Sequence, residues 1–122
     1  MKSARRQSLG HIGESIAAAF LEKKGYLILE RNWRSPYGEI DLIAKENDVV
    51  AFVEVKTRAS SSLGPPEISI TPRKKEHMRN AAEYFIQQHP ELNNDWRIDA
   101  VTIQIQGDNS PAIIDHFENV SN

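Results

Sequence analysis

Apolar residues at spacings of three and four predict two helices in this chain. The first carries its apolar stripe from Leu9 to Phe20 and should end at Gly25. The second should begin at Thr71-Pro72, where threonine can cap the helix and proline suits the first helical position, and it should end before Pro90.

Five segments between and after these helices have the composition or alternation of β-strands. They are residues 26–31, 39–45, 49–57, 97–106 and 112–117. The resulting order, αβββαββ, predicts an α/β fold. Hairpins make the first strands antiparallel, whereas the second helix permits a crossover to a parallel neighbour, so the central sheet should be mixed.

The register of the second and third strands follows from their patterning. A two-residue turn at Asn47-Asp48 places Leu42 opposite Val53 and collects apolar residues on one face. That face should also carry the pair Ile40 and Val55.

The same register places Asp41 directly opposite Glu54. Two carboxylates 4 Å apart repel by about 4 kcal/mol at an effective dielectric constant of 20. A divalent cation bound to both would offset this repulsion, and Lys56 on the same face could offset part of it. The alternative is an open, solvated strand face with an ordinary salt bridge, and the spacing alone leaves both interpretations open.

Glu14 is a third carboxylate with an unusual position. On a helical wheel it interrupts a face of small residues, with Gly10, Ala17 and Ala18 as neighbours, which suits close packing. Such a position favours a functional acid, while a partly exposed surface glutamate remains the alternative.

Composition and charge narrow the functional classes. The chain has 122 residues and a net charge of −2, but residues 1–79 hold 14 basic against 10 acidic residues and residues 80–122 hold one against seven. This asymmetry is typical of a basic working region joined to an acidic remainder that faces solvent, although ordinary surface scatter produces it too. The absence of cysteine excludes disulfide scaffolds, thiolate zinc sites and cysteine nucleophiles.

The same counts predict one domain, spanning residues 1–122, in the cytoplasm. The longest apolar run has six residues, whereas a membrane span needs roughly 20, and no signal-peptide core follows the basic N-terminus. Residues 1–8 should form a flexible basic arm, residues 59–70 a flexible loop and residues 118–122 a tail.

The spacing from Asp41 to Glu54-Val55-Lys56 resembles the metal-binding signature of the PD-(D/E)XK nuclease superfamily. The surrounding residues resemble the YraN-type family, which is poorly characterised and is similar to archaeal Holliday junction resolvases. The segments that carry the resemblance are Gly13-Glu14, Gly25-Tyr26, Asn32, residues 38–44, residues 52–58 and Thr71-Pro72-Arg73-Lys74. Ile40 stands where the nominal motif has proline, a departure that is common in the superfamily.

This resemblance implies a restriction-endonuclease-like three-layer fold with a mixed sheet between helices. It implies that Asp41, Glu54 and the Val55 carbonyl bind Mg²⁺ or Mn²⁺, and that Lys56 orients the attacking water and stabilises developing charge. Glu14 would contribute through a water molecule or a second cation.

Basic and aromatic residues near this motif are candidate substrate contacts. The basic candidates are Arg34, Arg58, Arg73, Lys74 and Lys75, which would contact phosphates without reading sequence. Lys74 continues the inward stripe of the second helix, so it either lies at the site or extends past the core edge to water. Trp33 and Tyr37 could stack on unpaired bases, or they could serve the core or anchor a loop.

Together these features predict a metal-dependent endonuclease that acts on branched or structured DNA, with dimerisation expected by analogy to junction resolvases. The alternative is a nuclease-fold DNA-binding or accessory module without turnover. An enzyme directed at RNA shares the same phosphate chemistry, and the sequence does not separate it from the first interpretation.

Overall fold

The structure is a computed structural model that describes residues 4–59, 70–92 and 95–120, with side chains described from Ser8 onward. The order αβββαββ is the one predicted from the sequence. The elements are α1 (Ala4–Lys23), β1 (Leu27–Ser35), β2 (Gly38–Glu46), β3 (Val49–Ala59), α2 (Pro72–Gln88), β4 (Trp96–Ile105) and β5 (Ile113–Phe117).

The five strands form one mixed sheet in the order β1-β2-β3-β4-β5. Neighbouring strands are antiparallel except β3 and β4, which are parallel and are joined through α2. This confirms the predicted crossover, since a parallel pair needs a long connection.

The sheet separates two hydrophobic cores, one under each helix. Ala17 and Leu21 of α1 pack with Val53, whereas Met78 and Phe85 of α2 pack with Phe52. Because Phe52 and Val53 are consecutive residues of β3, their side chains point to opposite faces, and the central strand is buried on both. The three-layer arrangement is consistent with a restriction-endonuclease-like fold.

Helix α2 begins where the sequence predicted. The Thr71 side chain accepts a hydrogen bond from the backbone N–H of Lys74 at 3.2 Å, and Pro72 occupies the first helical turn. This cap satisfies one of the free N–H groups at the start of the helix.

The predicted hairpin register of β2 and β3 is confirmed. Leu42 pairs with Val53, and the turn contains Asn47 with a positive φ of 54°, which asparagine tolerates better than most residues. The paired ladder ends at Leu42 and Val53, so the predicted direct pairing of Asp41 with Glu54 is not part of it, and the two residues lie just beyond its end.

The predicted position of Ile40 is wrong. Ile40 lies in the core under α2 rather than on the α1 face with Leu42. The neighbouring strand explains the difference, because Asn32 of β1 has a φ of 51° between the pairs Arg31–Leu42 and Trp33–Ile40. A residue in this conformation interrupts the alternation of faces, and both strands turn over together at this point.

Contacts on either side of this turnover show its effect. Arg31 reaches α1, where its guanidinium donates to the Ser15 hydroxyl at 2.9 Å. Trp33 instead packs against Phe85 of α2, with the ring centroids 5.2 Å apart. Asp41 lies at the level where the two strands change faces.

The predicted terminal and loop segments are described only in part. Helix α1 already begins at Ala4, so residues 4–8 are helical. Residues 1–3, most of the predicted loop (60–69) and residues 121–122 lie outside the described residues. In the predicted tail, the backbone N–H of Val120 donates to the Ile98 carbonyl at 2.8 Å, which ties this segment to β4. Across the described part of the chain, neither helix is both long and apolar enough to cross a membrane.

Candidate functional site

An open cleft of about 690 Å³ lies between α1, β2, β3 and the start of α2. The three carboxylates singled out in the sequence, Glu14, Asp41 and Glu54, all line it. Each comes from a different element, so the tertiary structure brings together acids that are up to 40 positions apart in the sequence.

Asp41 is held in the plane of the sheet, where β2 and β3 separate. Its carboxylate accepts a hydrogen bond from the backbone N–H of Val55 at 2.8 Å, which replaces a strand-to-strand bond. Burial, and next the nearby charge of Glu54, raise the pKa of Asp41 from 3.8 to about 7, although the Val55 hydrogen bond opposes the change. A cation in the cleft would favour the ionised form of this carboxyl group.

Glu14 reaches the cleft from α1 and carries an unsatisfied buried atom. Its side chain is 13% exposed, and Oε1 is buried without a hydrogen-bond partner among the described residues. The His11 imidazole, which is charged only if protonated, has its Nδ1 3.9 Å from this oxygen. A buried carboxylate oxygen without a partner is costly, so its position favours a cation or an ordered water in the cleft.

The close approach of α1 to β3 depends on Gly13. A Cβ atom at this position would lie 1.8 Å from Oγ1 of Thr57, a distance that no pair of unbonded heavy atoms adopts. Glycine therefore lets the backbone of α1 lie against β3 and places the next residue, Glu14, in the cleft.

Glu54 is paired with the start of α2. Lys74 Nζ lies 3.6 Å from Glu54 Oε2, and Lys74 lines the cleft. Lys74 therefore lies at the cleft, and its side chain is 43% exposed. Lys56 and Glu54 line an adjoining cavity of about 240 Å³, together with Ile70, Thr71 and Lys74.

Only some of the remaining predicted site residues line the cleft. Val55 and Arg58 line the cleft, whereas Arg34, Arg73 and Lys75 are not among the described residues that do. Arg34 is largely exposed and pairs with Glu39, with its Nε 3.3 Å from Oε2. Glu39, which was not among the residues predicted for the site, also lines the cleft.

A second group, Asp99, His116 and Glu118, was missed by the sequence analysis. One ligand atom from each lies within 4.8 Å of the others, so by spacing the group could hold a metal ion. Arg97 already supplies a cation there, since its Nε lies 2.9 Å from Asp99 Oδ1 and its Nη2 lies 2.9 Å from Glu118 Oε1.

The donors around Asp99 account for its charge. Burial alone would raise the pKa of this fully buried carboxyl group, but hydrogen bonds from His116, the Asn119 backbone and Arg97 hold it below its usual value. Lys24 Nζ lies 2.7 Å from His116 Nδ1, so the ring can accept there and donate from Nε2 to Asp99. The arrangement is therefore an ion-pair network. A signal for it existed in the sequence, because a charged residue inside the apolar run of β4 is rarely buried without partners.

Similar proteins were found by sequence. Residues 13–103 match the family described as "Uncharacterised protein family UPF0102". Two relatives, each named "UPF0102 protein", illustrate the similarity. One from Caldicellulosiruptor saccharolyticus is 42% identical over 114 residues, which cover 93% of this chain and 97% of the relative. One from Chloroherpeton thalassium is 47% identical over 96 residues, which cover 79% of this chain and 74% of the relative.

Proposed function

The chain belongs to the uncharacterised protein family UPF0102, and since that description names no activity, we propose from the cleft that this protein is a metal-dependent endonuclease. Its proposed substrate is branched or otherwise structured DNA. The observation that carries the proposal is the convergence of three carboxylates in one open cleft, with Lys56 two residues from Glu54 and a buried oxygen of Glu14 that has no hydrogen-bond partner in the described part of the chain.

The donor set fits a hard divalent cation. Mg²⁺ and Mn²⁺ bind carboxylate, carbonyl and water oxygens, and Mg²⁺ usually takes one or two carboxylates and keeps several waters. Asp41 and Glu54 would hold the ion, with the Val55 carbonyl as a further oxygen. Glu14 Oε1 supports the same assignment, because this buried oxygen of a cleft residue has no hydrogen-bond partner among the described residues, and a cation or its waters in the cleft could supply one. When bound, such a cation generates a nucleophile near neutral pH and neutralises charge on the phosphodiester oxygens.

The chain's own residues would divide the remaining work. Lys56 lies on the same face of β3 as Glu54, where it can orient an attacking water and stabilise negative charge on the phosphate. Lys74 pairs with Glu54 and can turn its ammonium to a phosphate that enters the cleft. Arg58 lines the cleft, and Arg34, Arg73 and Lys75 would contact phosphates of the nucleic-acid backbone beyond it.

Cleavage of matched DNA substrates tests this function. Linear duplex, single-stranded, flapped and four-way-junction DNA should be incubated with Mg²⁺ or Mn²⁺ and with the wild-type, Asp41→Asn, Glu54→Gln and Lys56→Met proteins. We expect cleavage of the branched substrates and a loss of about 100-fold or more in each variant, the size typical of losing one catalytic group.

Glu14→Gln and Glu22→Gln form a matched pair on one helix, since only Glu14 lines the cleft and Glu22 is exposed. We expect reduced cleavage for Glu14→Gln and unchanged cleavage for Glu22→Gln. Equal activity in wild type and Asp41→Asn would contradict the site assignment. Metal-independent DNA binding without cleavage would instead support an accessory binding module.

A further inference from the structure

A chain of hollows leads from the cleft along α2 to a pair of tyrosines. The cleft and a small hollow of about 40 Å³ share Glu39 and Lys74. That hollow and a larger one of about 170 Å³ share Tyr37. The shared residues show that the three spaces follow one another from the cleft to the two tyrosines, and this row of hollows is called the groove below.

Tyr37 is presented at the tip of the β1–β2 hairpin and is 47% exposed. Two hydrogen bonds of the Ser35 hydroxyl hold its turn. The hydroxyl accepts from the Tyr37 backbone N–H at 3.0 Å and donates to the Gly38 carbonyl at 2.9 Å. The tyrosine is therefore carried by a hydrogen-bonded turn rather than by a loose loop.

Tyr84 forms the other aromatic wall of the larger hollow and is supported by the core. Its ring centroid lies 6.0 Å from that of Tyr37 and 6.2 Å from that of Trp33, and Trp33 contacts the buried Phe85. An aromatic surface with this support loses little conformational freedom when a ligand stacks on it, which favours binding.

The remaining walls of the larger hollow are polar. Asn80, Glu83 and Gln87 line it together with the two tyrosines, and all three lie on α2. Side-chain amides and a carboxylate match the donor and acceptor groups on the edges of nucleobases. Glu83 would repel a phosphate but can accept from an exocyclic amine, whereas the cation Lys74 lies at the cleft end of the groove.

We propose that this hollow binds one unpaired nucleobase of the nucleic acid whose phosphodiester enters the cleft. The inference rests on the proposed function and narrows its substrates to those with an unpaired base near the reacting phosphate. Lys74 and Tyr84 are ten residues apart on α2, about 15 Å along its axis, so the base would lie a few nucleotides from the cleft.

Binding of matched oligonucleotides tests the proposal. A DNA duplex with a short single-stranded overhang is compared with the same duplex whose overhang sugars lack bases, so that charge and length stay equal. Fluorescence anisotropy without added metal should show that the intact overhang binds about 5- to 100-fold more tightly, the range expected for stacking of one base. Tyr37→Ser and Tyr84→Leu should each remove most of this difference.

Ile113→Ser is the matched control for Tyr37→Ser. Ile113 is also 47% exposed, but it lies on β5 at the opposite edge of the sheet, so its replacement should leave the preference intact. Equal binding of the two overhangs by the wild-type protein, or an unchanged preference in both tyrosine variants, would overturn the inference, as would failure to bind either oligonucleotide.

Cleavage and base preference can fail separately. Asp41→Asn should reduce cleavage by about 100-fold or more and keep the preference for the intact overhang. A protein that shows the preference but never cleaves would overturn the proposed endonuclease and leave the base site standing. A protein that cleaves both overhangs equally well and binds them with the same affinity would overturn the base site and leave the proposed endonuclease standing.

Discussion

Asp41 has a carboxyl group whose ionised form is unfavourable in the free protein. Burial and the charge of Glu54 raise its pKa to about 7, whereas the unfolded chain releases this proton near the ordinary value of 3.8. The folded state therefore binds the proton more tightly, and the free energy of unfolding falls as pH rises from about 4 to about 7. Three pKa units correspond to about 4 kcal/mol, an upper limit for this partly exposed group.

Asp41→Asn removes this cost, and we expect it to stabilise the metal-free protein. At pH 8 the free energy of unfolding should rise by about 1–3 kcal/mol, and at pH 4 it should hardly change, because Asp41 is then protonated in the folded state. Urea unfolding at both pH values measures the effect. Asp115→Asn, at an exposed position of β5 outside the cleft, is the control.

Whereas Asp41→Asn should stabilise the metal-free protein, divalent cations should stabilise the wild type and not the variant. Mg²⁺ or Mn²⁺ should raise the melting temperature of the wild type at pH 8 but not that of Asp41→Asn, because a ligand that binds only the folded state stabilises it. An equal increase of the melting temperature in both proteins would show that the ion binds elsewhere. The group of Asp99, His116 and Glu118 would then be the first alternative site to test.

At the scale of elements, the contact between α1 and β3 decides whether Glu14 reaches the cleft. Gly13→Ala should destabilise the protein by about 1–3 kcal/mol, since the added methyl group collides with Thr57 and outweighs the helix propensity of alanine. Urea unfolding measures this, and the response of the melting temperature to Mn²⁺ should weaken as Glu14 is displaced.

Gly10→Ala is a matched change one turn earlier in the same helix. A Cβ atom there meets nothing within 4 Å, so this substitution should instead stabilise the protein by about 0.5–1 kcal/mol. Opposite signs for the two substitutions would separate the steric effect from helix propensity. A neutral or stabilising Gly13→Ala would contradict the role assigned to this close approach.

The elements themselves were largely predictable. Alternation and a two-residue turn placed Leu42 opposite Val53, and Thr71-Pro72 marked the start of α2, because these are local properties of short segments. Ile40 was misplaced because its face depends on the conformation of Asn32 in the next strand, a contact that the alternation of β2 does not contain.

At the scale of the whole molecule, the network around Asp99 links the segment after α1 with β4 and with the segment after β5. Arg97 of β4 donates to Glu118 and also to the Tyr26 hydroxyl at 2.6 Å, and burial raises the pKa of that tyrosine to about 12. Two of the acids in the acidic half of the sequence, Asp99 and Glu118, are thus paired with Arg97, and Asp99 is fully buried, so that half does not simply face solvent.

Arg97→Met should destabilise the protein by about 3 kcal/mol, because it leaves the buried Asp99 carboxylate with less compensating charge. The double variant Arg97→Met with Asp99→Asn should recover part of the loss in urea unfolding. A double variant no more stable than Arg97→Met would contradict this account.

The wild type should lose stability as pH falls below about 4, because the pKa of Asp99 is lowered in the folded state.

The sequence by itself determined the order of the elements, the mixed sheet and the nearness of Asp41 and Glu54. These features follow from the periodicity of apolar residues and from one hairpin. Interactions between residues that are near neighbours in the chain decide the periodicity and the hairpin alike. Only the tertiary structure decided that Glu14 enters the same cleft, that Lys74 pairs with Glu54 and that Tyr37 meets Tyr84. Each of these depends on how a helix is rotated and seated on the sheet, which is set by packing at positions such as Gly13 and Phe85 that lie far apart in the chain.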